Sequence, residues 1–96
     1  MNRWTLSRKA AADLDSIWRH SMDLWGADQT ETYVALLRQS IESAAANPRR
    51  GRPCDEIKAG YRKLLAGAHV IFYRTTPAGV HIVRILHQRM DFDRRL

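Results

Sequence analysis

The stretch Val80-His81-Ile82-Val83-Arg84-Ile85-Leu86-His87 decides the fold. Five of its eight residues are apolar, and most of those are β-branched, which favours a strand. Read with a two-residue period, Val80, Ile82, Arg84 and Leu86 face one way, and His81, Val83, Ile85 and His87 the other. Apolar side chains on both faces place this strand inside a sheet, with helices on one face and something else on the other.

Upstream, Thr76-Pro77-Ala78-Gly79 reads as a turn. It is preceded by a strand over Ala68 to Thr75, rich in the strong β formers Val70, Ile71, Phe72 and Tyr73, and by another over Tyr61 to Ala66. Pro48 to Gly60 is a polar, arginine-rich connection with two prolines and two glycines, the longest irregular stretch of the chain. Earlier still the period changes to three and four. Ala10, Leu14, Ile17, Trp18, Ser21 and Trp25 form one stripe of a helix from Arg8 to Trp25, with Ser7 as its cap and Gly26 as its stop. Tyr33, Leu36, Leu37, Ser40, Ile41, Ala44 and Ala45 form the stripe of a second helix, from Asp28 to about Ala46, where Asn47-Pro48 ends it. Arg3 to Ser7 opens the chain as a short strand. Downstream of the deciding stretch, Gln88 to Leu96 is polar and carries both signs of charge.

The order β-α-α-β-β-β is an α+β class. An antiparallel helical hairpin packs on one face of a small, mainly antiparallel four-strand sheet, in one domain over residues 1–96. No element remains for the other face. A bare, partly apolar sheet face in a basic surround is therefore expected, and such a face is a docking surface.

The composition agrees. With 45% hydrophobic residues the 96-residue chain is too apolar to be disordered, and its net charge of +6 favours an acidic partner. Charge alone does not choose among nucleic acid, an anionic surface and an acidic protein segment. The single cysteine, Cys54, allows no intrachain disulfide and fits a reducing cytoplasm. No Cys/His spacing suits a metal, no motif implies a cofactor, and no apolar run suits a membrane span or a signal peptide.

The chain as a whole resembles the ParE toxins of the RelE/ParE superfamily. LSRKAAADLDSIWRHSMDLWG (6–26) is similar to their first helix and its approach, and YVALLRQSIESAAANPRRGRP (33–53) to their second helix and its exit. GYRKLLAGAHVIFYR (60–74) resembles their central strand pair, and GVHIVRILHQRMD (79–91) their last strand and tail. The resemblance implies the toxin of a type II toxin–antitoxin pair, neutralised by a ParD-type antitoxin whose acidic, flexible C-terminal segment folds on binding. It also implies a toxin–antitoxin hetero-oligomer, DNA gyrase as the target, and binding rather than catalysis.

RelE relatives cleave messenger RNA, and that is the alternative reading. Such chemistry needs a proton acceptor, a cation for the developing phosphate charge and an acid for the leaving oxygen. The tail HQRMDFDRRL has no tyrosine, which leaves His87, Arg84 and Arg89 for the task. Two candidate groups follow. Arg84, His87, Arg89, Met90 and Asp91, where the last strand leaves the sheet, are candidates for the toxic contact. Trp4 (on the open sheet face), Arg49, Arg50, Arg52, Arg62, Tyr73 and Arg74 are candidates for the antitoxin. Trp18 and Trp25 are expected in the core, and Cys54 is expected to be an ordinary loop thiol.

Overall fold

The computed structural model describes residues 3–90 and 92–96. Strand β1 (Arg3–Leu6) leads into helices α1 (Arg8–Trp25) and α2 (Ala27–Ala46). A single 3-10 turn (Pro48–Arg50), strands β2 (Arg52–Pro53), β3 (Tyr61–Ala66), β4 (His69–Thr76) and β5 (Gly79–His87), and the short helix α3 (Phe92–Arg95) complete the chain. The sheet has five strands rather than four, in the order β1-β5-β4-β3-β2. The additional strand is the two-residue β2, which pairs Arg52 and Pro53 with Lys63 and Arg62 inside the segment read as irregular. All pairings are antiparallel except β1 with β5, which runs parallel.

The helix boundaries follow from local chemistry. Ser7 accepts the amide of Ala10 through its hydroxyl, satisfying one of the free donors at the start of α1. Gly26 alone separates the helices. Its φ of 82° is strained for a side-chain-bearing residue, which makes it the natural pivot of the hairpin. Gly79 is required for another reason. A Cβ there would run into the main chain of Arg3, so the close parallel approach of β1 to β5 depends on its absence.

The hairpin covers one sheet face. The core beneath it joins Ala10, Ile17, Leu37, Ile41, Ala44 and Ala45 of the helices to Ile71, Tyr73, Val80, Ile82 and Ile85 of the sheet, with Trp4 packed at its margin. Trp4 therefore belongs to the helix side and not to the opposite face. The buried stripe of α1 is narrower than its sequence period suggests. Trp18 and Trp25 remain 39% and 47% exposed, because a hairpin lying on a sheet in a small domain buries only one edge of each helix.

β5 departs from strict alternation. Phe72 pairs with Arg84 but Tyr73 pairs with Ile82, which leaves Val83 as the extra residue of a β-bulge. The bulge shifts the phase of the strand. Ile82 and Ile85, expected on opposite faces, both enter the helix-side core. Past the bulge, Leu86 lies on the other face with Val70 and Phe72.

That other face is not bare. Cys54, Val70, Phe72 and Leu86 are buried together, packed against Ile57 of the connection, Tyr61 at the start of β3, and Phe92 and Leu96 of the tail. The Phe92 ring meets Phe72 edge-on at 4.9 Å between centroids. The expectation of an open docking face is thus corrected. Its apolar part is occupied by two segments that carry too few apolar residues to announce themselves as cover.

Candidate functional site

Arg84 lies in the strongest strand, where a charge needs a partner. β1 ends at Leu6, so beyond Ile82 the outer edge of β5 has no strand beside it. Groups at the start of α1 take over. The Ser7 amide donates to the Ile82 carbonyl at 2.9 Å and the Ser7 hydroxyl to the Val83 carbonyl at 2.7 Å. Asp13 accepts the Ile85 amide at 2.9 Å and binds the Arg84 guanidinium through both carboxylate oxygens at 2.8 Å. A further guanidinium N–H reaches the Arg95 carbonyl. Both side chains of the pair are only 14% exposed. The hydrogen bonds that Arg84 donates to Asp13 raise the Arg84 pKa above its ordinary value, against the opposing effect of partial burial. Arg84, expected as a toxic contact, is thus committed to holding the hairpin on the sheet edge.

Tyr73, expected at the antitoxin contact, is wholly buried. Its hydroxyl donates to the Pro48 carbonyl at 2.7 Å and accepts the Gly51 amide at 2.8 Å, while Arg62 donates to the Gly51 carbonyl at 2.7 Å. Burial raises the Tyr73 pKa, while the Gly51 bond and nearby Arg62 oppose the shift. Together these two side chains fix the backbone on which Arg49, Arg50 and Arg52 stand exposed. Tyr73→Phe is expected to cost about 1–2 kcal/mol, because the buried Gly51 amide loses its acceptor. Urea unfolding measures it, and an unchanged midpoint would remove this role. Arg74 is exposed on the sheet, in register with Tyr61 and His81.

The strand-end candidates fall together. His87 closes β5, Arg89 and Met90 are exposed just beyond it, and Asp91 lies outside the described residues. His87 and Met90 line a groove of about 540 Å³ between α1, the tip of the hairpin and the ends of β4 and β5. Sequence reasoning missed most of this groove. His20 and Leu24 come from α1, Trp25 from its last turn, Tyr33 from α2 and His69 from β4. His69 and His87 are register partners with ring centroids 5.4 Å apart, and the Tyr33 ring meets His69 edge-on and Trp25 at a tilt. Burial and the neighbouring His87 lower the His69 pKa below the ordinary histidine value. One signal was available: Trp25 and His69 flank the two tight turns at Gly26 and Gly67, which bring the chain back to the same end of the molecule.

Cys54 is buried in the second core, and its thiol pKa is raised by that burial. Among the described residues no group of three or more His, Cys, Asp or Glu is placed to hold a metal ion, and no helix is long and apolar enough to cross a membrane.

Residues 5–92 match the family described as "ParE toxin of type II toxin-antitoxin system, parDE". The chain is 55% identical over 96 residues to a "Toxin ParE1" of Mycobacterium tuberculosis, covering 99% of this chain and 98% of that one. It is 44% identical over 91 residues to a "Toxin ParE1" of Caulobacter vibrioides, covering 95% and 94%. Among solved structures, "Chromosomal ParDE TA system from P. aeruginosa" superposes with a TM-score of 0.75 at 28% identity, over 88% of this chain and 92% of that one.

Proposed function

The chain belongs to the ParE toxin family of type II toxin–antitoxin systems, and from that premise we propose that a ParD-type antitoxin neutralises it and that it poisons DNA gyrase by binding in the cytoplasm, without catalysing a reaction. The observation that carries the binding reading is the Asp13–Arg84 pair. RNA cleavage calls for a free cation beside the reacting phosphate, and the strand arginine best placed by sequence is already engaged by Asp13 and the Arg95 carbonyl. His87, with Arg89 and Met90 just past it, then forms a polar and apolar tip suited to gripping a protein.

The antitoxin reading draws on charge. Arg49, Arg50 and Arg52 stand on the turn that Tyr73 and Arg62 hold rigid, and exposed Arg74 adds to the same cationic character. A pre-ordered basic surface speeds the arrival of an acidic segment and loses little entropy when it is met. The structural relative from P. aeruginosa is a ParDE system, in keeping with a partner of this kind.

Purified chain added to gyrase and relaxed plasmid is expected to suppress supercoiling, and Arg89→Ala with Met90→Ala to relieve the block at least about tenfold, the effect of losing roughly 1.4 kcal/mol of binding. Ribosome-bound message incubated with the same protein stays intact. Unimpaired supercoiling together with cut message would reverse the assignment in favour of a nuclease.

A further inference from the structure

The sheet face away from the helices divides in two. Its apolar half, with Val70, Phe72 and Leu86, is packed against Phe92 and Leu96 of the tail. The other half is cationic. Tyr61 packs with the apolar cluster, which places it on this face. Its register partner Arg74 shares the face, as do His81 opposite Arg74 and Thr5 opposite His81. A two-residue step along a strand keeps the face, so Lys63 of β3 and Arg3 of β1 lie on it too, and Arg52 is opposite Lys63. Arg52, Lys63, Arg74, His81 and Arg3 thus form a diagonal file with one side chain from each of the five strands. At about 4.8 Å per strand the file crosses roughly 20 Å.

The file is short of counter-charge. Arg3, Arg52 and Arg74 are exposed and Lys63 is half-buried. Among the described residues the carboxylates that form salt bridges engage Arg19, Arg38 and Arg84 instead. Asp55 and Glu56 of the connection stand at the Arg52 end, where Asp55 accepts the Gly60 amide at 2.8 Å. Towards the other end the register neighbours of Arg74 and Arg3 are Tyr61, His81 and Gly79, with no acid among them. An anion with regularly repeated charge relieves the repulsion along the whole file.

Three features choose that anion. The surface is shallow, for neither the groove of about 540 Å³ nor a smaller one of about 210 Å³ beside α2 includes a residue of the file. An acidic peptide would find its apolar side chains without a pocket, since the apolar half is already covered, whereas a phosphate backbone needs none. The aromatic ring on this half, Tyr61, has the Lys58 ammonium 5.6 Å from its centroid, which takes the ring face that a base of a single strand would stack on. We infer that the file binds the phosphate backbone of duplex DNA without reading its sequence, so that the toxin holds DNA directly as well as its protein partners. This goes beyond the protein-binding reading above. Arg52 and Arg74 meet an acidic antitoxin segment or DNA, but not both at once.

The test uses the full chain and a short fluorescein-labelled duplex, with fluorescence anisotropy read across a salt series. Four phosphate contacts give log affinity a slope against log salt of about −3.6, a fall of about 150-fold between about 50 and 200 mM. Arg3→Gln with Arg74→Gln should halve the slope to about −1.8, leaving a fall of only about 12-fold. Arg19→Gln with Arg38→Gln removes the same charge from the helical layer and should leave the slope at the parent value. All four of these side chains are exposed, so the fold is not at stake. A single strand of the same sequence and polyglutamate should each bind at least about tenfold more weakly than the duplex, a gap of roughly one decade in affinity. No binding of the duplex at about 50 mM salt, an equal loss of slope in the two double variants, or a single strand or polyglutamate held as tightly as the duplex would each overturn the proposal. Neither gyrase nor antitoxin is present, so this result and that of the supercoiling assay stand or fall separately.

Discussion

Replacing Asp13 with alanine is expected to lower the unfolding free energy by about 3 kcal/mol, the scale for stranding one member of a buried ion pair. The loss has two sources. Arg84 keeps its charge at a site that is only 14% exposed, and the Ile85 amide at the unpaired edge of β5 loses its acceptor. For a domain of this size the midpoint of thermal unfolding should fall by roughly 15 °C. Asp13→Asn should recover part of the loss, because an amide oxygen still accepts from Ile85. Adding Arg84→Met to Asp13→Ala should also recover part, because no buried charge is left behind. Calorimetry of the parent and the three variants checks the set. A single-mutant loss below about 1 kcal/mol would place the pair with ordinary surface ion pairs.

The second large effect is expected of Phe72→Ala, at about 3–5 kcal/mol. Phe72 is fully buried and touches the Phe92 ring on the face away from the helices. Its removal leaves a void under Cys54, Leu86 and the tail. Beyond the stability loss, α3 should detach, so that limited proteolysis cuts after Met90 in the variant at protease levels that spare the parent. A variant that loses stability yet keeps the same cleavage pattern would show that the tail is held by other contacts.

These two substitutions mark where the sequence was legible and where it was not. The helical periods of α1 and α2, the turn at Thr76–Gly79 and the apolar run of β5 each reflect a local pattern, and the element order follows from them. The bulge at Val83 leaves no local trace, because one extra residue in an apolar strand looks the same as none until the register with β4 is known. Asp13 sits off the apolar stripe of α1 and reads as a solvated acid. Only the early end of β1 makes it the partner of Arg84 and Ile85. The cover on the second face was hidden for a similar reason. Ile57, Phe92 and Leu96 are isolated apolar residues in polar company, and a few scattered contacts suffice to close a small sheet.

The candidate site divides in the same way. Arg49, Arg50, Arg52, Arg74 and Arg89 are exposed, as charge alone suggests, while Trp4 and Tyr73 are taken up by packing and Arg62 by the Gly51 carbonyl. The groove joins residues 20, 33, 69 and 87, whose meeting depends on two turns and a strand register rather than on any spacing in the chain.

The pairing of Arg3–Leu6 with Gly79–Ile82 has a consequence for how the molecule comes into being. The first strand leaves the ribosome early, yet its place in the sheet exists only once a segment 76 positions later (79 − 3) has been made. At ordinary elongation rates that interval lasts roughly 4 to 15 seconds, and long-range closure of this kind is itself slow. Throughout it the helical hairpin is without the strand that seals its base. The nascent chain is therefore adhesive during synthesis, and acquires its finished surface in a late, cooperative step.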